Sequence, residues 1–376
     1  MHSDFPLAPE RMEIAEENLS PYTRLLRAQL GIKPTTSSPT KLVANLRAKS
    51  RYILHYEILK LYLRLGLELV RIHRCVSFTQ SSFLKQYIAL NNKCRKKASN
   101  AFDVALYKLY NNCVYGKTIY NVFKQVNVQL VTDANKFSRL VGKPTFSSSH
   151  PITDEMVSVC MKPAVLVCDK PIYVGATVLD LSKAHMYSFY YDYLATRYAS
   201  TGLRLLYTDT DSFYVYIKNR PRIYHDILEN ERFFDRSNYP KDHFLYSHSR
   251  KRHLGLMKDE HASDPIVEMC ALRPKMYSVR TVSSGEELKA KGLRQFLLRK
   301  LTTTDYLRCL VETTTTTHKF KEIKSRHHRL RTVVSSKIGL SPYEDKRYVL
   351  SCGICTLPYG HYAIDQNMAE EWCECV

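Results

Sequence analysis

Six residues constrain this chain more than any others: Tyr207-Thr208-Asp209-Thr210-Asp211-Ser212. Leu203, Leu205, Leu206 and Tyr207 lead in, and Phe213, Tyr214, Val215, Tyr216 and Ile217 lead out. Such aromatic and β-branched runs favour strands, and Asp-Thr-Asp favours a bend between them, so the pattern predicts a hairpin. Side chains two residues apart point to one side of a strand. Asp209 and Asp211 are therefore candidate ligands for hard divalent cations. Magnesium takes oxygen ligands, usually one or two carboxylates completed by substrate phosphates. Taken alone, a D-x-D pair is also what a solvated turn looks like, because aspartate is a common turn residue.

Charge narrows the choice of partner. Among 376 residues, 56 Lys and Arg face 36 Asp and Glu, a formal net charge of +20. That balance points to a polyanion, although any basic protein shares it. The 27 tyrosines suit stacking on bases and sugars when interleaved with basic residues; they also suit ordinary cores. Eleven cysteines, odd in number and scattered, behind an N-terminus without an apolar leader, imply thiols in a reducing, intracellular compartment. No run is long and apolar enough to span a membrane.

The first fifty residues read as irregular, broken by Pro6, Pro9 and Pro21, with a loop at Pro34–Pro39. Leu59, Leu63, Leu67 and Val70 recur at helical spacing, and residues 70–78 read as a following strand. Phe83, Leu84, Tyr87 and Ile88 predict one amphipathic helix; Ala98, Phe102, Ala105, Leu106 and Leu109 predict another. The basic set Lys93, Arg95, Lys96, Lys97 and Lys108 lies on and between them. Gly116 reads as the terminator of the second helix. Val126–Thr132 reads as strand and Thr177–Tyr193 as helix. Thr302–Thr304 and Thr313–Thr317 read as loop or strand edge.

Lys108-x-x-x-Asn112-Cys113-x-Tyr115-Gly116 resembles motif B of family-B DNA polymerases, K-x-x-x-N-S-x-Y-G. Tyr207 to Ser212 resembles their motif C, Y-G-D-T-D-S, and Lys275-Met276-Tyr277 their K-x-Y motif. The three occur in the family's order. The whole chain is also similar to the protein-primed polymerases of Maverick/Polinton-type mobile elements, with the likeness strongest at residues 4–10, 171–175, 179–183, 272–278, 289–292 and 345–348.

The resemblance implies an α+β right-hand polymerase fold with an antiparallel-sheet palm, helical fingers and a C-terminal thumb. Palm is expected at 1–79, fingers at 80–125, palm again at 126–290 and thumb at 291–376; an insertion that encircles DNA in protein-primed relatives falls at 126–170. The implied activity is DNA-directed nucleotidyl transfer, for replication of a mobile element or virus. Two metal ions about 3.5–4 Å apart stabilise the attacking and leaving oxygens. The implied ions are Mg2+, with Mn2+ as a substitute. Asp211 is the main ligand in motif C and Asp209 supports it. Lys96 and Lys108 meet the dNTP phosphates, Asn112 and Tyr115 line the nascent base pair, and Gly116 allows close approach. The implied DNA-binding set is Tyr207, Lys275, Tyr277, Lys289 and Lys291, with Lys275 and Tyr277 at the primer terminus. These contacts read phosphate and shape rather than sequence. The implied partners are primer-template DNA, dNTPs and a terminal protein primer, in the nucleus if the element is eukaryotic.

The departures from the family count as well. No D-x-x-S-L-Y-P strand, the family's motif A, occurs in these residues, and neither do exonuclease motifs. The chain therefore reads as the C-terminal part of a polymerase. Thr208 stands for the usual glycine of motif C and Cys113 for the serine of motif B; Val104 stands where some relatives carry a second lysine. A catalytically inactive DNA-binding remnant is the alternative, with Asp4 or Asp180 as the substitute ligands to consider if activity survives. A third reading is a zinc-dependent interaction module built on Cys352-x-x-Cys355, His361 and Cys373-x-Cys375, since structural zinc uses paired cysteines at short spacing. His327 and His328, between arginines, read as phosphate- or solvent-facing.

Overall fold

The computed structural model describes residues 6–33, 40–198, 202–218, 222–283, 285–326 and 329–373. Asp4, the Pro34–Pro39 stretch, His327, His328 and Cys375 lie outside them. The fold is α+β, built on small sheets of antiparallel strands.

The first fifty residues are more regular than their prolines suggest. β1 (Ala8–Met12) and β2 (Lys41–Asn45) pair with each other and flank α1 (Pro21–Gln29). Ser20 caps α1 by accepting the Thr23 N–H at 3.1 Å. Pro21 sits at the first helical position, where an N–H has no helical partner to lose. α2 (Tyr56–Arg64) ends in a Schellman motif: Gly66 N–H reaches the Leu63 carbonyl at 3.1 Å and Leu67 N–H that of Tyr62 at 3.0 Å, with Gly66 at φ +95°. Leu67 and Val70 therefore leave the helical row. Residues 70–78 form no strand, contrary to the sequence expectation, and Val70, Ile72, Val76 and Phe78 are exposed. β-propensity alone does not hold a strand that lacks a paired neighbour.

α3 (Lys85–Lys97) packs against α4 (Ala101–Thr118) through Asn91 Nδ2 to Asn111 Oδ1 at 3.0 Å and Tyr87 Oη to the Tyr110 carbonyl at 3.3 Å. Gly116 does not end α4. Its φ is not positive, and the helix continues to Thr118, whose hydroxyl bonds back to the Tyr115 carbonyl at 2.7 Å. β3 (Asn127–Val131), α5 (Ala134–Val141), β4 (Phe146–Pro151) and β5 (Val157–Met161) enclose a small core of Val131, Leu140, Val159 and Met161, with β5 at the centre of its sheet.

α6 (Ile172–Ser188) runs into a π-helical stretch, Phe189–Ala195, and then α7 (Thr196–Tyr198). Gly175 lets α6 approach the end of α4: a Cβ there would meet Ile119 Cγ2 at 2.1 Å. β6 (Leu203–Thr208) and β7 (Phe213–Ile217) form a hairpin, and α8 (Ile223–Glu229) comes next. β8 (Ile266–Arg273), β9 (Met276–Thr281) and β10 (Glu286–Ala290) form a sheet in the order β10-β9-β8. After α9 (Gln295–Leu298), Thr302 opens α10 (Thr303–Val311) with a capping box closed by Asp305, so this threonine run is a helix start rather than a strand edge. β11 (Thr317–Arg326) pairs β12 (Arg329–Ile338). The chain closes with β13 (Tyr348–Val349), β14 (Thr356–Leu357) and α11 (Tyr362–Asp365).

Two compact units divide the chain. One holds residues 1–82, 179–318 and 337–376; the other holds 83–178 and 319–336. The first has two main cores. Tyr190, Tyr191, Tyr193, Leu194 and Tyr198 pack under the β6–β7 hairpin at Leu205, and Cys270, Leu272, Met276, Ala290, Tyr306, Cys309 and Leu340 back the β8–β10 sheet. In the second unit, α4 buries none of its residues and leaves Phe102, Leu109 and Tyr110 exposed. Among the described residues no helix is long and apolar enough to cross a membrane.

Candidate functional site

The hairpin forms where the sequence pattern predicts it, with Leu203↔Ile217 at its base and Thr208↔Phe213 at its tip. Aromatic packing anchors it from below: Phe213 lies 6.4 Å from Phe189, stacked, and 5.7 Å from Tyr190. The tip is a tight turn. Asp211 N–H donates to the Asp209 carbonyl at 2.7 Å, and Asp209 N–H to that of Ser212 at 3.3 Å. Thr210, between the carboxylates, has φ +64°. A β-branched residue is rare in that region, and the conformation stores strain. Thr208, by contrast, is ordinary strand backbone, so the glycine usual there is not needed for a left-handed turn. Asp211 is exposed and Asp209 half-buried.

The K-x-Y residues meet this tip. Pro274 and Lys275 make the two-residue turn between β8 and β9, with Arg273 paired to Met276. Lys275 has φ +63°, the sign required at the second central position of a type II turn. Two contacts hold it there. Its backbone N–H donates to Tyr207 Oη at 2.8 Å, and its ammonium lies 2.9 Å from Asp209 Oδ2. The Asp209 carboxylate, with lesser help from Tyr207 and Asp211, raises the Lys275 pKa above the usual lysine value.

A tyrosine cluster forms the wall behind. The Tyr207 and Tyr277 rings are 4.9 Å apart, Tyr214 and Tyr277 5.5 Å, and the two hydroxyls of the latter pair 3.5 Å. Burial pushes all three phenols above their ordinary pKa. They stay neutral hydrogen-bonding groups at physiological pH.

Lys289 on β10 lies directly across from Tyr277, so both side chains emerge on one face. Lys291 N–H donates to the Lys275 carbonyl at 3.0 Å, which keeps the end of β10 beside the β8–β9 turn. Asp209, Lys275, Tyr277, Lys289, Lys291 and Gln295 line an open cavity of about 360 Å³. Lys289 is also paired with Glu287 at 3.1 Å. Three lysines and one carboxylate thus line the cavity, with the Lys275 and Lys289 ammonium groups paired to Asp209 and Glu287.

Asp211 and Asp209 present the hard oxygens that magnesium takes, but Lys275 already engages Asp209. Among the described residues no third carboxylate or imidazole joins the pair at ligand distance. Asp180 does not reach this role: on α6 it accepts the His55 N–H at 2.7 Å and lies 3.5 Å from the Lys183 ammonium. The residues present fit one cation shared with substrate phosphates rather than a self-contained two-ion centre.

Lys96, Lys108, Asn112, Tyr115 and Gly116 lie in the other unit. Lys108, Asn112, Tyr115 and Gly116 fall at i, i+4, i+7 and i+8 of α4 and so form one stripe. Lys108, Asn112 and Gly116 are exposed, Tyr115 is half-buried, and Lys96 is exposed on the last turn of α3. The residues that sequence reasoning missed are Tyr214, Gln295 and Glu287. Tyr214 is recognisable only once β7 is paired, because its role depends on Tyr277, 63 positions away.

No family model, no curated protein and no solved structure matches the chain.

Proposed function

We propose that this chain is a DNA polymerase of the protein-primed family-B type, or a part of one, with a right-hand arrangement of palm, fingers and thumb, and that it binds primer-template DNA at the cavity beside Asp209. One observation carries the reading. Tyr207 and Asp209 of the motif-C-like stretch meet Lys275 and Tyr277 of the K-x-Y-like stretch, with Lys289 and Lys291 on the same cavity. Residues that resemble separate motifs of one enzyme thus converge in space.

In this reading Lys275, Lys289 and Lys291 neutralise phosphates of the primer strand. The Tyr207–Tyr277 pair is the apolar wall for a sugar. Asp211, exposed at the tip, presents its oxygens to a cation brought with the incoming nucleotide. Magnesium, when bound, supplies Lewis-acid stabilisation of the transferring phosphoryl group. The α4 stripe Lys108, Asn112, Tyr115 and Gly116, with Lys96, is assigned to the dNTP.

A second reading is a DNA-binding remnant without transfer activity. The Lys275–Asp209 pair and the absence of a third acidic ligand among the described residues favour it. Primer extension by the full chain, with magnesium and with manganese, beside Asp211→Asn, separates the two. The polymerase reading expects weak extension that falls a hundredfold or more in the variant, the scale of losing one key transition-state stabiliser. Tight binding with no extension in either metal leaves the remnant. Failure to bind primer-template at all removes both.

A further inference from the structure

A second cluster of chemically able side chains lies in the C-terminal lobe and shares no residue with the Asp209 cavity. The Sγ atoms of Cys352, Cys355 and Cys373 all lie within 4.8 Å of one another. Three thiolates around a tetrahedral zinc ion with bonds of about 2.3 Å stand about 3.8 Å apart. Separations of up to 4.8 Å admit that spacing.

The local backbone is arranged for it. Cys352-Gly353-Ile354-Cys355 is the turn that joins β13 to β14, with Gly353 at φ +72°. The N–H groups of Ile354 and Cys355 both point at Cys352 Sγ, at 3.4 and 3.2 Å. These two backbone donors fix the position of that sulfur, as hydrogen bonds around metal ligands do. Cys373 is delivered from the other side. The Glu370 carboxylate accepts from Ser351 N at 3.0 Å and from Ser351 Oγ at 2.5 Å, which fixes the turn Ala369–Trp372 against the Cys352 turn. Trp372 packs at 4.8 Å on His361, and His361 Nδ1 accepts the Ala363 N–H, so that imidazole serves as a helix cap rather than a member of the thiol set.

The regular structure of the lobe itself is short. Its strands have two residues each, α11 is one turn, and its buried core is Leu350, Leu357, Ala363 and Ala369, with the three cysteines packed at its rim. The lobe is tied to the rest of its unit by the Leu46 N–H on the Tyr359 carbonyl at 2.8 Å and by the Lys41–Asp345 ion pair, and a metal would add a tie among its own turns. A disulfide would use two of the three thiols and leave one over; a zinc ion uses all three.

We propose that Cys352, Cys355 and Cys373 hold a structural zinc ion that closes the C-terminal lobe. The three thiolates fill three of the four tetrahedral positions and the fourth takes a further donor; by sequence, Cys375 follows Cys373 at the spacing of a C-x-C pair. The thiols lose their protons on binding and no redox change occurs.

The test uses the full chain purified under reducing conditions. Elemental analysis should find one zinc per chain. After replacement by cobalt, the spectrum should show a thiolate-to-cobalt charge-transfer band and the visible bands of a tetrahedral ion. Cys352→Ser and Cys373→Ser should each weaken the charge-transfer band and lower zinc retention at least tenfold, while Cys75→Ser, an exposed thiol elsewhere, should change neither. Should a serine variant fail to fold, the cobalt spectrum of the unmutated chain still decides. The proposal is overturned if the unmutated chain retains no zinc and gives no thiolate–cobalt band. It is equally overturned if the serine variants keep both, or if mass spectrometry of the protein kept under reducing conditions finds Cys352 and Cys355 joined in a disulfide.

Discussion

Thr210→Gly probes how the two carboxylates are held. Thr210 sits between Asp209 and Asp211 with φ +64°. A residue with a Cβ pays roughly 1–2 kcal/mol in that region, and a β-branched one falls at the upper end. Glycine removes the strain but adds unfolded-state freedom of about 0.5–1 kcal/mol. The Thr210 hydroxyl lies 3.4 Å from Asp209 Oδ1, too long for a strong O–H···O bond, and its loss changes little. The balance favours glycine by about 1 kcal/mol. Urea unfolding of the full chain, followed by tyrosine near-ultraviolet circular dichroism, should give a higher midpoint with an unchanged slope. Affinity for primer-template and magnesium together should fall, because the tip no longer fixes Asp211 relative to Asp209. A variant destabilised by a similar amount would refute the claim that strain is stored at this turn.

Gly175→Ala should destabilise the protein by about 1–3 kcal/mol, since the new methyl meets Ile119 Cγ2 and the helix end must shift; thermal melting checks this. Asp235 is buried, and although burial alone would raise its pKa, hydrogen bonds from Ser237 and from the Arg252 N–H at 2.8 Å hold it below the usual aspartate value. Its stabilising effect is therefore present above the unfolded pKa of about 3.9 and lost as pH falls through the lower folded value. Asp235→Asn should cost about 1–3 kcal/mol at neutral pH, by leaving the Arg252 N–H unmatched, and should flatten the acid limb of the stability profile measured by denaturant titration at successive pH values.

Parts of the site were legible in local chemistry. The Leu203–Ile217 hairpin arises from two β-favouring runs around Asp-Thr-Asp, all within reach of one turn. The α4 stripe is set by residue spacing once the helix is assigned. Other features depend on partners far along the chain. Val70–Phe78 has the composition of a strand, yet Gly66 ends α2 and no neighbouring strand among the described residues pairs with this segment. Gly116 has the identity of a terminator but sits in a helical backbone that its neighbours continue. The meeting of Tyr207 with the Lys275 N–H spans 68 positions; residue patterns alone do not show it, and only the resemblance to a known motif set suggested that the two stretches work together. The cysteine trio was legible as part of the set Cys352, Cys355, His361, Cys373 and Cys375, but the sequence does not show that the Glu370–Ser351 contact brings the turn before Cys373 to the Cys352 turn or that His361 is taken up as a helix cap.

On the proposed function, Lys275, Lys289 and Lys291 around Asp209 hold phosphates of a nucleic acid. The direct measurement is the affinity of the full chain for a primer-template duplex across a salt series, compared with Lys289→Ala/Lys291→Ala. Each phosphate contact contributes about 0.9 to the slope of log affinity against log salt. The double variant should bind more weakly, with a slope shallower by about 2 and no dependence on DNA sequence. A double variant with the same affinity and the same slope would contradict it.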